Sequence, residues 1–242
     1  MKQRHVFNAI VGPVPVMAIG KIKKQKRGND MVVTKKLLEV RGERLKPDEA
    51  KPLNIVDMAL SFSAMMRLFQ QGSKEIIHKQ IMEYLARFIN SKSEDEFKAV
   101  HHDFCLWGTT AIYTAEKEQK DGSIKNSEPA SYGQIAKTLD VVLHVLIHYA
   151  QHPNTETAKA LSKWLNTAMD TKMMAFLSGC YPDALKPWPK TIEQVKKEDY
   201  VAIQKTVRLF IQEEHLGKIR PVDVDDVYWE VLNRKDIQPS RE

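Results

Sequence analysis

The sequence predicts a mainly α-helical protein, in which a bundle-like domain of six to seven helices follows a basic N-terminal arm. From residue 53 onward, apolar residues recur about every 3.6 positions, which is the period of an amphipathic helix. The 242 residues include only ten Gly and eleven Pro, too few for the many turns of a β-sandwich or β-barrel. Two cysteines exclude a disulfide framework. We therefore divide the chain into an arm, residues 1–48, and an all-helical domain, residues 49–242.

The arm carries the patterns that favour strands. Residues 14–23 and 31–40 are rich in β-branched side chains, and the turn-forming run Arg27-Gly28-Asn29-Asp30 separates them. This arrangement predicts a β-hairpin with a basic tip, although residues 31–40 fit a short helix equally well. Pro47 and Pro52 then mark the joint with the domain.

The helices follow in order along the domain, each with an apolar stripe at helical spacing. Gly72 suits the end of the first helix, Ser93 and Glu96 form a capping box that opens the third, and Pro153 ends the fourth. The predicted helices cover residues 53–71, 73–90, 94–118, 131–151, 154–178, 199–215 and a short stretch from 223. The helix over 131–151 is apolar on nearly every side, so we expect it at the centre of the bundle.

Excess positive charge is confined to the arm. Residues 1–48 hold twelve Lys and Arg against four Asp and Glu, a net charge of +8, so the rest of this +6 chain has a net charge of −2. Such segregation is typical of surfaces that bind polyanions, nucleic acid above all. The predicted nucleic-acid-binding residues are Lys21, Lys23, Lys24, Lys26, Arg27, Lys35 and Lys36. Lysines contact phosphates without reading bases, so we expect salt-sensitive and weakly sequence-selective binding. The alternative interpretation of the arm is a solvated tail that binds no nucleic acid.

A row of metal-ligating side chains lies on the central predicted helix. Asp140, His144 and His148 are four residues apart, which makes them neighbours on one helical face that can share a metal ion. Further ligand candidates on another helix are His101, His102 and Cys105. The alternative is a polar seam, in which the histidines bond to carbonyls or carboxylates.

An acidic cluster opens the last predicted helix. Its members are Asp223, Asp225, Asp226 and Glu230. Carboxylates of this kind can hold magnesium, but a helix N-terminus also favours negative charge. We prefer the second interpretation, helix capping.

Arg208 and His215 form a candidate catalytic pair on the penultimate predicted helix. Their i, i+7 spacing returns to the same helical face, so a guanidinium and an imidazole can converge on a phosphodiester. The pair resembles the short Arg-x(4–6)-His motif of the HEPN family, and the resemblance covers these two residues. It implies an all-helical ribonuclease that dimerises to form its site. The alternative is a solvated helix end, where a cationic histidine is favourable.

Taken together, these patterns predict a non-catalytic nucleic-acid-binding protein that acts as a subunit of a nucleoprotein assembly. A HEPN-like or metal-dependent nuclease is the first alternative, and a helical protein–protein interaction subunit is the second. We expect no cofactor, with a divalent metal as the alternative. The expected partners are DNA or RNA, between which the charge does not distinguish, and further copies of the chain or a protein complex.

No membrane partner is expected, because no run approaches the eighteen apolar residues of a membrane span. The apolar run at residues 6–19 is broken by Gly12, Pro13 and Pro15, and no signal-cleavage pattern follows it. We therefore expect a cytoplasmic protein.

Overall fold

The structure is a computed structural model that describes residues 47–119 and 121–233. This part of the chain contains eight α-helices: α1 (Pro47–Phe62), α2 (Ser73–Asn90), α3 (Glu94–Ala111), α4 (Tyr132–Leu143), α5 (Thr155–Leu161), α6 (Thr171–Cys180), α7 (Lys197–His215) and α8 (Asp223–Asn233). Its one sheet is an antiparallel pair, β1 (Lys117–Glu118) and β2 (Ile124–Lys125), in which Glu118 lies opposite Ile124. The prediction of a mainly α-helical protein is confirmed.

Helix α4 lies at the centre of the fold, as its all-round apolar pattern predicts. Ser131 caps its N-terminus by accepting a hydrogen bond from the Gln134 amide, and the Gln134 side chain accepts one from the Ser131 amide in return. Ten of the twelve residues of α4 are buried, and the helix packs against α1, α3 and α7. Beyond Leu143 the chain continues as a π-helix, His144–Tyr149, in which the Ala150 amide bonds the Val145 carbonyl.

One predicted helix, over residues 154–178, is wrong, because the chain forms two helices, α5 and α6, with a buried irregular segment between them. Leu165 and Met169 keep the buried positions that their helical spacing suggested. The backbone between them bonds to side chains instead of to a helical turn. The Gln204 amide both accepts from the Thr167 N–H (3.2 Å) and donates to the Thr167 carbonyl (2.8 Å). A side-chain amide matches both the N–H and the C=O of one residue, so the buried backbone of Thr167 is satisfied without a helix.

Two further predicted helices, over residues 53–71 and 94–118, have boundaries that differ from the structure. Helix α1 begins at Pro47. Proline is favourable at the first position of a helix, because the amide hydrogen that it lacks would have no partner there. The helix also includes Pro52. It ends at Phe62, because Ser63 is extended (φ −67°, ψ 122°) and residues 64–67 form a 3₁₀ turn. Helix α3 ends at Ala111 and not near residue 118, since Ile112 is extended (φ −113°, ψ 137°).

Among the described residues, no helix combines the length and the apolar composition that crossing a lipid bilayer requires. The predicted hairpin of the arm, at residues 14–23 and 31–40, lies outside the described residues, and the division of the chain at residue 48 stays a prediction.

The closest approach of α3 to α4 depends on Gly108. A Cβ atom at this position would lie 2.5 Å from Cγ2 of Ile135, far inside van der Waals contact. We expect Gly108→Ala to lower the free energy of unfolding by about 1–3 kcal/mol, because the packed helices must separate. Gly179→Ala is the matched control: its Cβ would meet no atom within 4 Å, so a helical alanine there should be neutral or stabilising by up to about 1 kcal/mol. Urea denaturation of both variants checks this, and equal midpoints would contradict the close packing.

Candidate functional site

A cleft of about 510 Å³ opens between α3 and α7. We call it the α3/α7 cleft. Its walls are side chains of those two helices, and its remaining lining comes from the start of α4 and from the buried segment after α5. The lining residues are Asp95, Lys98, Ala99, His101, His102, Tyr132, Asn166, Lys197, Tyr200, Val201, Gln204, Lys205 and Arg208.

Helical spacing aligns the basic residues along this cleft. One face of α7 carries Lys197, Lys205 and Arg208. Lys205 follows Lys197 by eight residues, and Arg208 follows Lys205 by three. Lys98 and His102, four residues apart on α3, face them across the cleft. Sequence reasoning singled out only Arg208 of the α7 set. The signal that could have found the others is the spacing of Lys197 and Lys205, which places both on the same face of α7 as Arg208.

The positive charge of the cleft is only partly neutralised. Glu94 forms ion pairs with Lys98 (2.6 Å) and Arg208 (3.4 Å). Burial disfavours the charged form of Glu94, but the hydrogen bonds and charges of Lys98 and Arg208 prevail and lower its pKa, so it neutralises about one of them. Lys197 donates to Nε2 of His102 (2.7 Å), and Lys205 is exposed. Neither lysine forms an ion pair within residues 47–119 and 121–233. The cleft therefore retains cationic character that an anion can neutralise.

Beneath the cleft lies a buried hydrogen-bond network centred on Asp140. His101 Nε2 lies 2.9 Å from one Asp140 oxygen, and the Tyr200 hydroxyl donates to the other at 2.7 Å. Cys105 Sγ lies 3.6 Å from His101 Nδ1, and the rings of His101 and Tyr200 stack at 5.5 Å. This Asp140 network connects α3, α4 and α7. It is the polar floor of the cleft.

The network fixes the protonation of its members. Burial favours neutral His101, but the charges of Cys105 and Asp140 and hydrogen bonds to both outweigh it and raise the pKa of His101 to about 10. Burial and the negative charge of Asp140 raise the pKa of Tyr200 well above its ordinary value, so the hydroxyl stays a donor. Burial and the charge of Lys197 lower the pKa of His102, whose neutral ring can accept from that lysine. The floor therefore pairs an imidazolium with a carboxylate.

Arg208 and His215, the predicted catalytic pair, have different partners. Arg208 donates to the Gln204 carbonyl and to Oδ1 of Asn166, both at 3.2 Å, besides its ion pair with Glu94. His215 Nε2 lies 2.8 Å from the Tyr228 hydroxyl and does not line the α3/α7 cleft. Only Arg208 therefore belongs to the cleft, and the nuclease role of the pair stays a prediction.

The three residues predicted to share a metal ion, Asp140, His144 and His148, lie in two different places in the fold. Asp140 belongs to the floor of the cleft, where His101 and Tyr200 occupy both of its oxygens. His144 and His148 lie instead beside Asp226 of α8, with one ligand atom of each within 4.8 Å of the others. The structure thus brings two of the three residues together and supplies a different carboxylate.

Three carboxylates of the acidic cluster at the start of α8 bond to residues outside that helix. Asp225 accepts a hydrogen bond from the Ala168 amide (3.1 Å), and Asp223 pairs with the Arg220 guanidinium (2.7 Å). Asp226 accepts from the Tyr149 hydroxyl. The preferred capping interpretation therefore missed the contacts of these carboxylates with other parts of the fold. The seven predicted nucleic-acid-binding residues of the arm lie outside the described residues.

No protein-family model, curated protein or solved structure matches this chain. We therefore infer its function from the charge, the volume and the hydrogen bonds of the site itself.

The Asp140 network makes stability depend on pH. The unfolded chain releases the histidine proton near pH 6.5, whereas the folded protein holds it on His101 to about pH 10. The stabilisation is complete below about pH 6.5 and is lost as the pH rises through about 10, at no more than about 1.4 kcal/mol per pH unit. Urea denaturation at several pH values measures this loss.

The variant His101→Gln should lack this part of the pH dependence, because Gln retains a donor for Asp140 but does not titrate. His78→Gln is the control, since the hydrogen bond recorded for the His78 ring among the described residues is to the Leu53 carbonyl and not to a buried carboxylate. A His101→Gln variant with the same pH slope as the unmodified protein would disprove the assignment.

Proposed function

We propose that the protein binds nucleic acid through its phosphates, using the α3/α7 cleft together with the basic arm. The observation that supports this most directly is the unneutralised charge of Lys197 and Lys205 beside Arg208 in one cleft. The arm supplies a second concentration of positive charge, with a net charge of +8 over residues 1–48. Phosphate contacts by such side chains release counterions and drive binding without regard to sequence.

The spacing of the cations suits a chain of phosphates. Lys197 and Arg208 are eleven residues apart on α7, which corresponds to about 16 Å along the helix axis. Successive phosphates of one strand advance about 3.4 Å along the axis of a duplex. In an extended single strand they lie further apart. The row on α7 therefore matches several consecutive phosphates better than it matches one small anion.

The polar groups of the cleft favour binding that is weakly selective for sequence. The Tyr200 hydroxyl is committed to Asp140, and Tyr132 lies beside His102 Nδ1 at 3.3 Å. Arg208, whose forked guanidinium could read a guanine, already contacts Glu94, Asn166 and the Gln204 carbonyl. These commitments leave the lysines, which position a backbone and do not discriminate between bases.

A binding role is favoured over catalysis by the same contacts. Arg208 bonds Asn166 whereas His215 bonds Tyr228, and only Arg208 lines the cleft. The cleft places cations against an expected anion, which is sufficient for binding.

Charge reversal in the cleft tests the proposal. At 50 mM salt, Lys197→Glu/Lys205→Glu should weaken binding of a labelled oligonucleotide at least about tenfold and reduce the slope of log K against log salt by about 2. Fluorescence anisotropy with single- and double-stranded DNA and RNA measures both. The matched control is Lys79→Glu/Lys159→Glu, which makes the same charge change on exposed residues of α2 and α5.

An equal loss of affinity in the two double variants would reject the cleft as the binding site, since net charge alone would then explain it. A cleaved probe would place the protein with the nucleases. Absence of binding at low salt would overturn the proposed function.

The contribution of the arm is measured separately in the full-length chain. Replacing Lys21, Lys23, Lys24, Lys26 and Arg27 by Gln should lower the salt slope by about one for each phosphate that the arm no longer binds. The same lysines replaced by Arg, with Arg27 left in place, retain the charge and should retain the slope. Unchanged binding in the Gln variant would assign the nucleic acid to the cleft alone.

A further inference from the structure

The π-helix after α4 and the first turn of α8 bring together three side chains that can hold a metal ion. One ligand atom each of His144, His148 and Asp226 lies within 4.8 Å of the other two. We propose that these residues form a site for a divalent transition metal, represented by Zn²⁺, with an open coordination position for water or a substrate atom. This metal site is separate from the α3/α7 cleft, and it does not depend on nucleic-acid binding.

The backbone places the two imidazoles side by side. His144 and His148 are four residues apart in the π-helical segment His144–Tyr149, and their ring centroids are 5.2 Å apart. Such π-helical turns are rare and occur frequently at functional sites. Here the turn directs two nitrogen ligands toward α8, which supplies the carboxylate.

An unpartnered nitrogen points into this site. His144 is only 8% exposed, and its Nε2 atom makes no hydrogen bond to any described residue. It lies 3.6 Å from Oδ2 of Asp226, which is too long for a hydrogen bond. Two ligand atoms bound to one tetrahedral zinc at 2.0–2.2 Å are about 3.4 Å apart. The separation of these two atoms is therefore close to that expected for two ligands of one zinc ion.

The carboxylate is oriented by a neighbour, as metal ligands usually are. The Tyr149 hydroxyl donates to Oδ1 of Asp226, which leaves Oδ2 directed at His144. The Tyr149 ring also stacks on the His144 ring, with centroids 4.7 Å apart and an interplanar angle of 20°. Tyr149 is therefore a positioning residue for both ligands.

A second carboxylate lies at the edge of the site but has another partner. Asp223 Oδ1 is 3.7 Å from Nε2 of His148, whereas the Arg220 guanidinium donates to both Asp223 oxygens at 2.7 and 2.9 Å. The ion pair satisfies Asp223, so three protein ligands remain. Three ligands with a solvent-accessible fourth position are the arrangement of catalytic zinc sites, and the 41% exposure of the Asp226 side chain leaves that position open to water.

The ligand set defines the class of metal. Two imidazole nitrogens and one carboxylate favour zinc and its neighbours among the first-row transition metals, whereas magnesium and calcium prefer all-oxygen sites. His101 does not compete for the same ion, since Asp140 and Cys105 already occupy both of its nitrogens.

Metal titration of the full-length, tag-free, chelator-treated protein tests the proposal. Isothermal titration calorimetry should show one Zn²⁺ site that millimolar Mg²⁺ does not block, because magnesium prefers oxygen ligands. Co²⁺ should give the visible absorption of a nitrogen- and oxygen-ligated ion at the same stoichiometry. Asp226→Asn and His148→Gln should each weaken Zn²⁺ binding at least about 100-fold, and Tyr149→Phe about tenfold.

The controls separate removal of a ligand from unfolding. His144→Gln changes a buried residue and can unfold the site, so the decisive variant is Asp226→Asn, whose side chain is partly exposed and whose shape is unchanged. Its circular dichroism should match that of the unmodified protein. His78→Gln removes a histidine of α2 and should leave Zn²⁺ affinity unchanged.

Zinc that binds equally well to Asp226→Asn and to the unmodified protein would overturn the proposal, as would the absence of saturable binding at micromolar Zn²⁺. Loss of zinc binding without loss of oligonucleotide binding would support the metal site and leave the proposed function intact. The two proposals therefore fail or stand separately.

Discussion

The buried carboxylate of Asp140 connects the three helices on which the α3/α7 cleft depends. His101 reaches it from α3 and Tyr200 from α7, while Asp140 itself lies on the central helix α4. A buried charge that loses one partner destabilises a protein by about 3–5 kcal/mol, so these helices are held at a fixed separation. The cationic walls above the network depend on that separation, since Lys98 and Lys205 face each other only while α3 and α7 keep their distance.

A second constraint operates around the irregular segment between α5 and α6. Gln204 holds the peptide of Thr167 from α7, and Asp225 holds the next amide from α8. The first turn of α8 is therefore tied to the core, and Asp226 follows in that same turn. The placement of Asp226 beside His144 is a consequence of this attachment. One buried, non-helical stretch thus positions the carboxylate of the proposed metal site, while the Asp140 network positions the cationic walls of the α3/α7 cleft.

The helical periodicity predicted much of the fold because each amphipathic helix records its buried face locally. The boundaries of α2 were predicted without error, and α7 began two residues before its predicted start. Prediction failed over residues 154–178, because Leu161, Leu165 and Met169 have helical spacing although the backbone between the last two is irregular. Spacing reports burial, but it does not report which partner satisfies the backbone. The partner here, Gln204, is distant in the sequence.

The sequence by itself determined the fold class, the central position of the 131–151 helix and the segregation of positive charge, since composition and periodicity are local properties. It also identified two of the three residues of the proposed metal site, because a four-residue spacing makes His144 and His148 neighbours in any helix. Only the tertiary structure decided that Asp226, and not Asp140, joins them, and that Lys197 and Lys205 share a cleft with Lys98. Those pairings depend on how helices pack across long sequence separations, which no local pattern encodes.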